Sequence, residues 1–163
     1  MTKGQRCVII NTEREGKKMP TIFFDMDGTI ADLYGVSGWL ENLINSNPRP
    51  YIEAKPLVRL NVLARRLNKL QAAGYKIGII SWLAKSNDEE FHEVVTAAKL
   101  AWLKKHLASI CFDEIHIVAY GTAKESFVTN PLDILFDDEA PNRANWTGRA
   151  FNVDSILETL KTL

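Results

Sequence analysis

Short apolar runs and longer amphipathic stretches alternate along this chain. Thr21-Ile-Phe-Phe24 is a β-prone run that stops abruptly at Asp25. No polar residue interrupts it, so it reads as a strand buried on both faces, as in a parallel sheet. Val36 to Ser46 reads as a helix with Trp39, Leu40, Leu43 and Ile44 on one side, ended by the breaker Asn47-Pro48-Arg49-Pro50. Pro56 to Ala73 carries the strongest helical pattern: Leu57, Leu60, Leu63, Ala64, Leu67 and Leu70 recur at helical spacing, Pro56 suits the first turn and Gly74 the C-terminal cap. Tyr75 to Ile80 follows as a second buried strand ending at Ser81. Asp88 to Leu107, entered through Ser86-Asn87, is a second long helix. Glu114 to Val118 is a third strand and Ile134 to Phe136 a fourth, ending at Asp137-Asp138. Ala150 to Val153 is a fifth, with a closing helix to about Leu160. Ahead of all these, Thr12 to Lys18 reads as a polar connection after a short N-terminal strand.

Strands alternating with helices predict an α/β fold of three layers, with a central parallel sheet and right-handed crossovers. In such sheets ligands bind beyond the carboxyl ends of the strands. Three of the strands end there in Asp25, Ser81 and Asp137, so the chemistry converges on one edge. The intervals Thr29 to Ser81 and Ser81 to Lys124 are filled by these elements, which predicts little or no cap over the site.

With 163 residues the chain is expected to form one domain over 1–163, its core at about 20–160. Twenty Lys+Arg balance 20 Asp+Glu, and 46% of residues are hydrophobic, which excludes a disordered chain and a strongly basic polyanion binder. A local basic patch, and with it a nucleotide or nucleic acid partner, stays open. No run reaches the length of a membrane span, and the apolar stretch Cys7 to Ile10 is too short for a signal peptide. Cys7 and Cys111 form no CxxC, so the expectation is two reduced thiols in a cytoplasmic protein.

Asp25, Asp27, Asp137 and Asp138 would crowd one crevice with like charges, which demands a cation or protons. Hard carboxylate oxygens with no His or Cys beside them favour Mg²⁺ over zinc. Gly28 and Thr29 offer backbone amides and a hydroxyl for an anion, and Lys124 a positive charge. Together these parts suit phosphoryl transfer. Lys85 and Arg143 are near enough in sequence to touch substrate, although solvated positions suit them equally. His92, His106 and His116 lack metal-ligand spacing. Of Trp39, Trp82, Trp102 and Trp146, only Trp82, beside Ser81, has a claim to stack on a ligand.

These residues resemble the haloacid dehalogenase (HAD) superfamily of phosphotransferases. Its first motif looks like Asp25-Met26-Asp27-Gly28-Thr29, its second resembles Ser81 after Ile77-Gly-Ile-Ile80, its third matches Lys124 in Gly121-Thr-Ala-Lys124, and its fourth resembles Asp137-Asp138 in Ile134-Leu-Phe-Asp-Asp-Glu139. The resemblance spans about residues 20 to 160. More narrowly, the chain is similar to short bacterial and phage members, including the 5'(3')-deoxyribonucleotidase-type group. The resemblance implies that Asp25 attacks phosphorus, that Asp27 serves as acid and then base, and that Ser81 and Lys124 hold the phosphoryl oxygens. It also implies that Asp137 and Asp138 hold Mg²⁺ with Asp25 and the Asp27 carbonyl.

The expected partners are a small phosphorylated substrate or a phosphorylated macromolecule such as a nucleic acid end, with no membrane and with an oligomer left open. Two other readings compete. A DxD-type glycosyltransferase leaves Ser81, Lys124 and Asp137-Asp138 without a task. A phosphoacceptor module resembling a response-regulator receiver would not place a second acidic pair late in the chain.

Overall fold

A computed structural model describes residues 18–163; the expected N-terminal strand lies outside the described residues. Three buried, largely apolar strands at the centre and two strands of mixed polarity at the edges form a five-stranded sheet. They are β1 (Thr21–Phe24), β4 (Lys76–Trp82), β5 (Glu114–Val118), β6 (Ile134–Phe136) and β7 (Arg149–Phe151), in the order β5-β4-β1-β6-β7. Every pairing among them is parallel, with Phe24 level with Ile79 on one side and with Phe136 on the other. Successive side chains point to opposite faces, and both faces are covered. Ile22, Phe24, Ile77, Ile79, Ile134 and Phe136 share a cluster with α3 (Leu60–Ala72), α6 (Ile156–Thr162) and Trp102 and Leu103 of α4 (Glu89–His106). Phe23, Ile80 and Leu135 pack on the other face against Trp146 and, more loosely, Phe127 and Val128.

The path from β1 runs outward through β4 and β5, then returns to lay β6 on the other side of β1. That reversal opens a crevice beyond the carboxyl ends of β1 and β6. Two backbone bonds hold the following residues in register there: Asp25 N–H donates to Phe136 O at 2.9 Å and Asp137 N–H to Phe151 O at 3.3 Å.

The residues between β1 and β4 depart from expectation. The first helix, α1, is confined to Trp39–Ile44, and the Pro-rich segment begins a second helix, α2 (Arg49–Glu53). Proline is tolerated in the first turn of a helix because the N–H it lacks has no partner there anyway. Pro56 does not start the long helix: it lies in β3 (Lys55–Pro56), which pairs antiparallel with β2 (Ala31–Asp32), and α3 starts four residues later. Thus α1, α2 and this two-stranded ribbon form a small lid, which rests on α4 through α2. Between α4 and β5, Cys111 is disulfide-bonded, against the expectation of a reduced thiol, because separation in sequence says nothing of proximity in space. Among the described residues no helix is long and apolar enough to cross a membrane.

Candidate active site

The turn after β1 is built by its glycine. Gly28 has φ +77°, and a Cβ there would lie 2.5 Å from Asp138 Oδ2 and 2.7 Å from Tyr34, so only glycine fits. The turn folds tightly onto one carbonyl: Met26 O accepts from the N–H groups of Thr29, Ile30 and Ala31 at 2.9–3.1 Å. Asp25 and Asp27 are thereby brought to one crevice. Thr29, wholly buried, links the two acidic loops: its hydroxyl lies 3.3 Å from Asp25 Oδ2 and 3.2 Å from Asp138 Oδ1, and accepts from Asp138 N–H. The hydroxyl expected to cradle an anion is therefore taken up within the protein.

Lys124 opens a 3₁₀ turn (Lys124–Phe127) and is only 2% exposed. Its ammonium donates to Asp25 Oδ1 at 2.8 Å and to Asp137 Oδ2 at 2.7 Å. Burial pulls its pKa down, but the charges of Asp25 and Asp137 outweigh this, and the net shift is upward. Asp137 is fixed by two further donors: Glu139 N–H reaches Oδ1 at 2.8 Å, and Asn142, on α5 (Ala140–Asn145), reaches Oδ2 at 3.1 Å. Burial, then the nearby Asp25 charge, raises its pKa. Asp138 is pushed up to about 6, first by burial and then by the charges of Asp25 and Asp137.

One carboxylate oxygen from each of Asp25, Asp137 and Asp138 can be chosen so that all lie within 4.8 Å of one another. All-oxygen donors, and protons drawn to two of the three, fit a hard divalent cation. Asp27 is outside this trio; its carboxylate is engaged elsewhere.

The engagement is with a residue that sequence reasoning missed. Lys99, on α4, is 1% exposed and donates to Asp27 Oδ2 at 2.5 Å and to Ser81 Oγ at 2.7 Å. Its ammonium also sits 5.1 Å from the ring centroid of Tyr51, on α2. Burial raises the pKa of Asp27 while Lys99 pulls it down, with a net upward shift. A signal existed: the buried stripe of α4 is Phe91, Val95, Lys99, Trp102 and Leu103, so a lysine occupies a position that helical spacing assigns to the core.

Above the carboxylates opens a pocket of ≈ 410 Å³. The lid supplies one wall, through Tyr34, Trp39, Leu40, Leu43, Ile44 and Tyr51. The other wall is Trp82, Leu83, Ala84, Lys85 and Tyr120, with Asp25, Asp27, Lys124, Asp137 and Asp138 among the residues at the base. Trp82 is held by a bond from Nε1 to Thr122 O at 2.8 Å, packs at a tilt of 55° against Tyr120, and has its ring centroid 5.0 Å from the Lys124 ammonium. Lys85 is exposed at the rim, 5.9 Å over the Tyr120 ring. Trp39 thus joins Trp82 as a pocket-lining indole, while Trp102 and Trp146 are buried. Gly28, Thr29 and Ser81 lie behind the pocket surface. Arg143 turns away from it, donating to the carbonyls of Asp137 and Asp138 at 2.9 and 2.7 Å.

No protein-family model and no curated protein sequence matches the chain. Solved structures do. The D,D-heptose 1,7-bisphosphate phosphatase of Burkholderia thailandensis is 14% identical with a TM-score of 0.54, over 88% of this chain and 97% of that one. The corresponding phosphatase of B. bronchiseptica, complexed with magnesium and phosphate, is 11% identical with a TM-score of 0.50, over 88% and 99%. At these identities the likeness concerns the fold, and it extends over nearly the whole of both proteins.

Proposed function

We propose that this chain is a Mg²⁺-dependent phosphomonoesterase of the HAD superfamily, hydrolysing a nucleotide through an aspartyl-phosphate on Asp25. The observation that carries the reading is the base of the pocket. The Lys124 ammonium bridges Asp25 and Asp137, Asp138 completes a carboxylate trio with them, and Asp27 also lies at the base of a cavity walled by aromatic side chains. The same fold serves two phosphatases, one of them holding magnesium and phosphate.

Mg²⁺ on Asp25, Asp137, Asp138 and the Asp27 carbonyl would offset the charge that otherwise keeps an anionic nucleophile from an anionic phosphate. The Asp25 carboxylate attacks phosphorus while the bond to the leaving oxygen breaks, and Asp27 gives that oxygen a proton. Water then attacks phosphorus, passes its proton to Asp27, and frees Asp25 with inorganic phosphate. Lys124, already aimed at Asp25, holds the phosphoryl oxygens, whereas Ser81, wholly buried and bonded to Lys99, supports the site from behind. Tyr34, Trp39, Trp82 and Tyr120 offer flat faces to a base, and Lys85 a cation at the rim. This favours a small substrate over a phosphorylated nucleic acid end.

The test is phosphate release from nucleoside monophosphates, sugar phosphates, p-nitrophenyl phosphate and phosphorylated oligonucleotides, with Mg²⁺ and with excess chelator. Nucleotides should turn over fastest, and only with metal. Asp25→Asn should form no covalent phosphoenzyme. Asp27→Asn should slow a nucleotide by about 10²–10⁴-fold and p-nitrophenyl phosphate less, because nitrophenolate hardly needs a proton. Full activity in chelator, or a phosphoenzyme in Asp25→Asn, would overturn the reading.

A further inference from the structure

Two lysines divide the polar groups of this site. Lys124 bonds Asp25 and Asp137, whereas Lys99 bonds Asp27 and Ser81. Only Lys124 faces the pocket; Lys99 is 1% exposed and lies behind Asp27, whose side chain is 17% exposed. The position on α4 could be filled by Leu or Met, since its neighbours in the stripe are Val95 and Trp102. An ammonium there carries a desolvation cost that an apolar side chain would not. The cost is met by a carboxylate, a hydroxyl and the Tyr51 ring, so the charge is held with care in one place.

We propose that Lys99 is a positioning residue for Asp27: it anchors Oδ2 and so turns Oδ1 towards the leaving oxygen. The inference rests on the phosphatase reading given above. Asp27 follows the strand in a turn, and the terminal torsion of an aspartate is soft and roughly two-fold. Among the described residues no protein side chain or N–H donates to Oδ1, which leaves that oxygen for the substrate. Without the anchor, the carboxylate is free to rotate towards the Lys124 side of the crevice. A displacement of about 1 Å in a reacting group costs up to about 10²-fold in rate. Because Lys99 does not touch the pocket, the loss belongs to turnover and not to binding.

The experiment is a double-mutant cycle with Mg²⁺ present, on Lys99→Met, Asp27→Asn and the pair, reading kcat and KM for a nucleoside monophosphate. Lys99→Met should lower kcat by about 10–100-fold and leave KM within about twofold. In the Asp27→Asn background the same change should cost less than about threefold, because the proton transfer that Lys99 positions is already gone. Lys99→Gln, which keeps N–H donors without the charge, should recover part of kcat and also guards against a fold defect in the methionine variant. Losses that add in the double mutant, a raised KM with kcat intact, or glutamine no better than methionine would each overturn the role of Lys99. If the unmodified protein releases no phosphate from any ester, the phosphatase reading fails and the proposal falls with it. If it is active and the losses add, only the proposal falls.

Discussion

Asp138 is half-buried, and the side-chain partner of its carboxylate is Thr29, whose hydroxyl lies 3.2 Å from Oδ1. Burial and two neighbouring carboxylates raise its pKa from 3.8 to about 6. The folded state therefore holds its proton over a range of pH in which the unfolded chain has released it. The stabilisation from this group is present below about pH 4 and is lost as pH rises through about 6. In metal-free protein, Asp138→Asn removes that loss. The gap in Tm between the variant and the unmodified protein should widen in favour of the variant as pH goes from about 4 to 7. Thermal denaturation across that range checks it; a gap that narrows would show that the carboxylate is not strained by its neighbours.

The lid is an element with almost no core of its own. No residue of α1 is buried, and Leu40 and Ile44 are 54% and 73% exposed. It is positioned by the turn after β1, by the β2–β3 ribbon and by the seat of α2 on α4. Its apolar side chains line the pocket, where the proposed function gives them a substrate to contact. Stacking of a base on an aromatic ring is worth about 1–3 kcal/mol. Trp39→Ala should accordingly raise KM for a nucleotide about tenfold or more, and leave KM for glycerol phosphate, which has nothing to stack, nearly unchanged. Steady-state kinetics on both esters distinguishes this from a general loosening of the site, which would raise both. The change should shift global stability little, since Trp39 is not part of the buried core.

At the scale of the whole molecule, the sheet gathers Asp25, Asp27, Asp137 and Asp138 at one edge and sets two buried ammonium groups, Lys99 and Lys124, among them. A divalent cation would neutralise the remaining formal charge. A ligand that binds only the folded state, present at 100 times its Kd, stabilises by about 2.7 kcal/mol. For a chain of this size that raises Tm by roughly 5–10 °C. Mg²⁺ should do so where Na⁺ at equal ionic strength does not, and Asp137→Asn should abolish most of the shift. A melting curve indifferent to Mg²⁺ would count against the metal site.

What the sequence determined by itself is the part that depends on local pattern. The runs Thr21–Phe24, Glu114–Val118 and Ile134–Phe136 are strands with the bounds expected of them: the first and third are buried on both faces, as central strands of a parallel sheet are, and Glu114–Val118 alternates polar and β-branched residues at the sheet edge. The meeting of Asp25 and Asp137 also followed from pattern, since parallel strands bring their carboxyl ends to one edge. The lid and Lys99 did not follow. Pro48 and Pro50 read as breakers because local propensity does not know that α4 offers α2 a surface to pack on. Lys99 was not singled out because its partners, Asp27 and Ser81, lie 72 and 18 residues away. Whether a lysine in an apolar stripe is exposed or paired depends on which carboxylate the fold brings opposite it, and only the tertiary structure decides that.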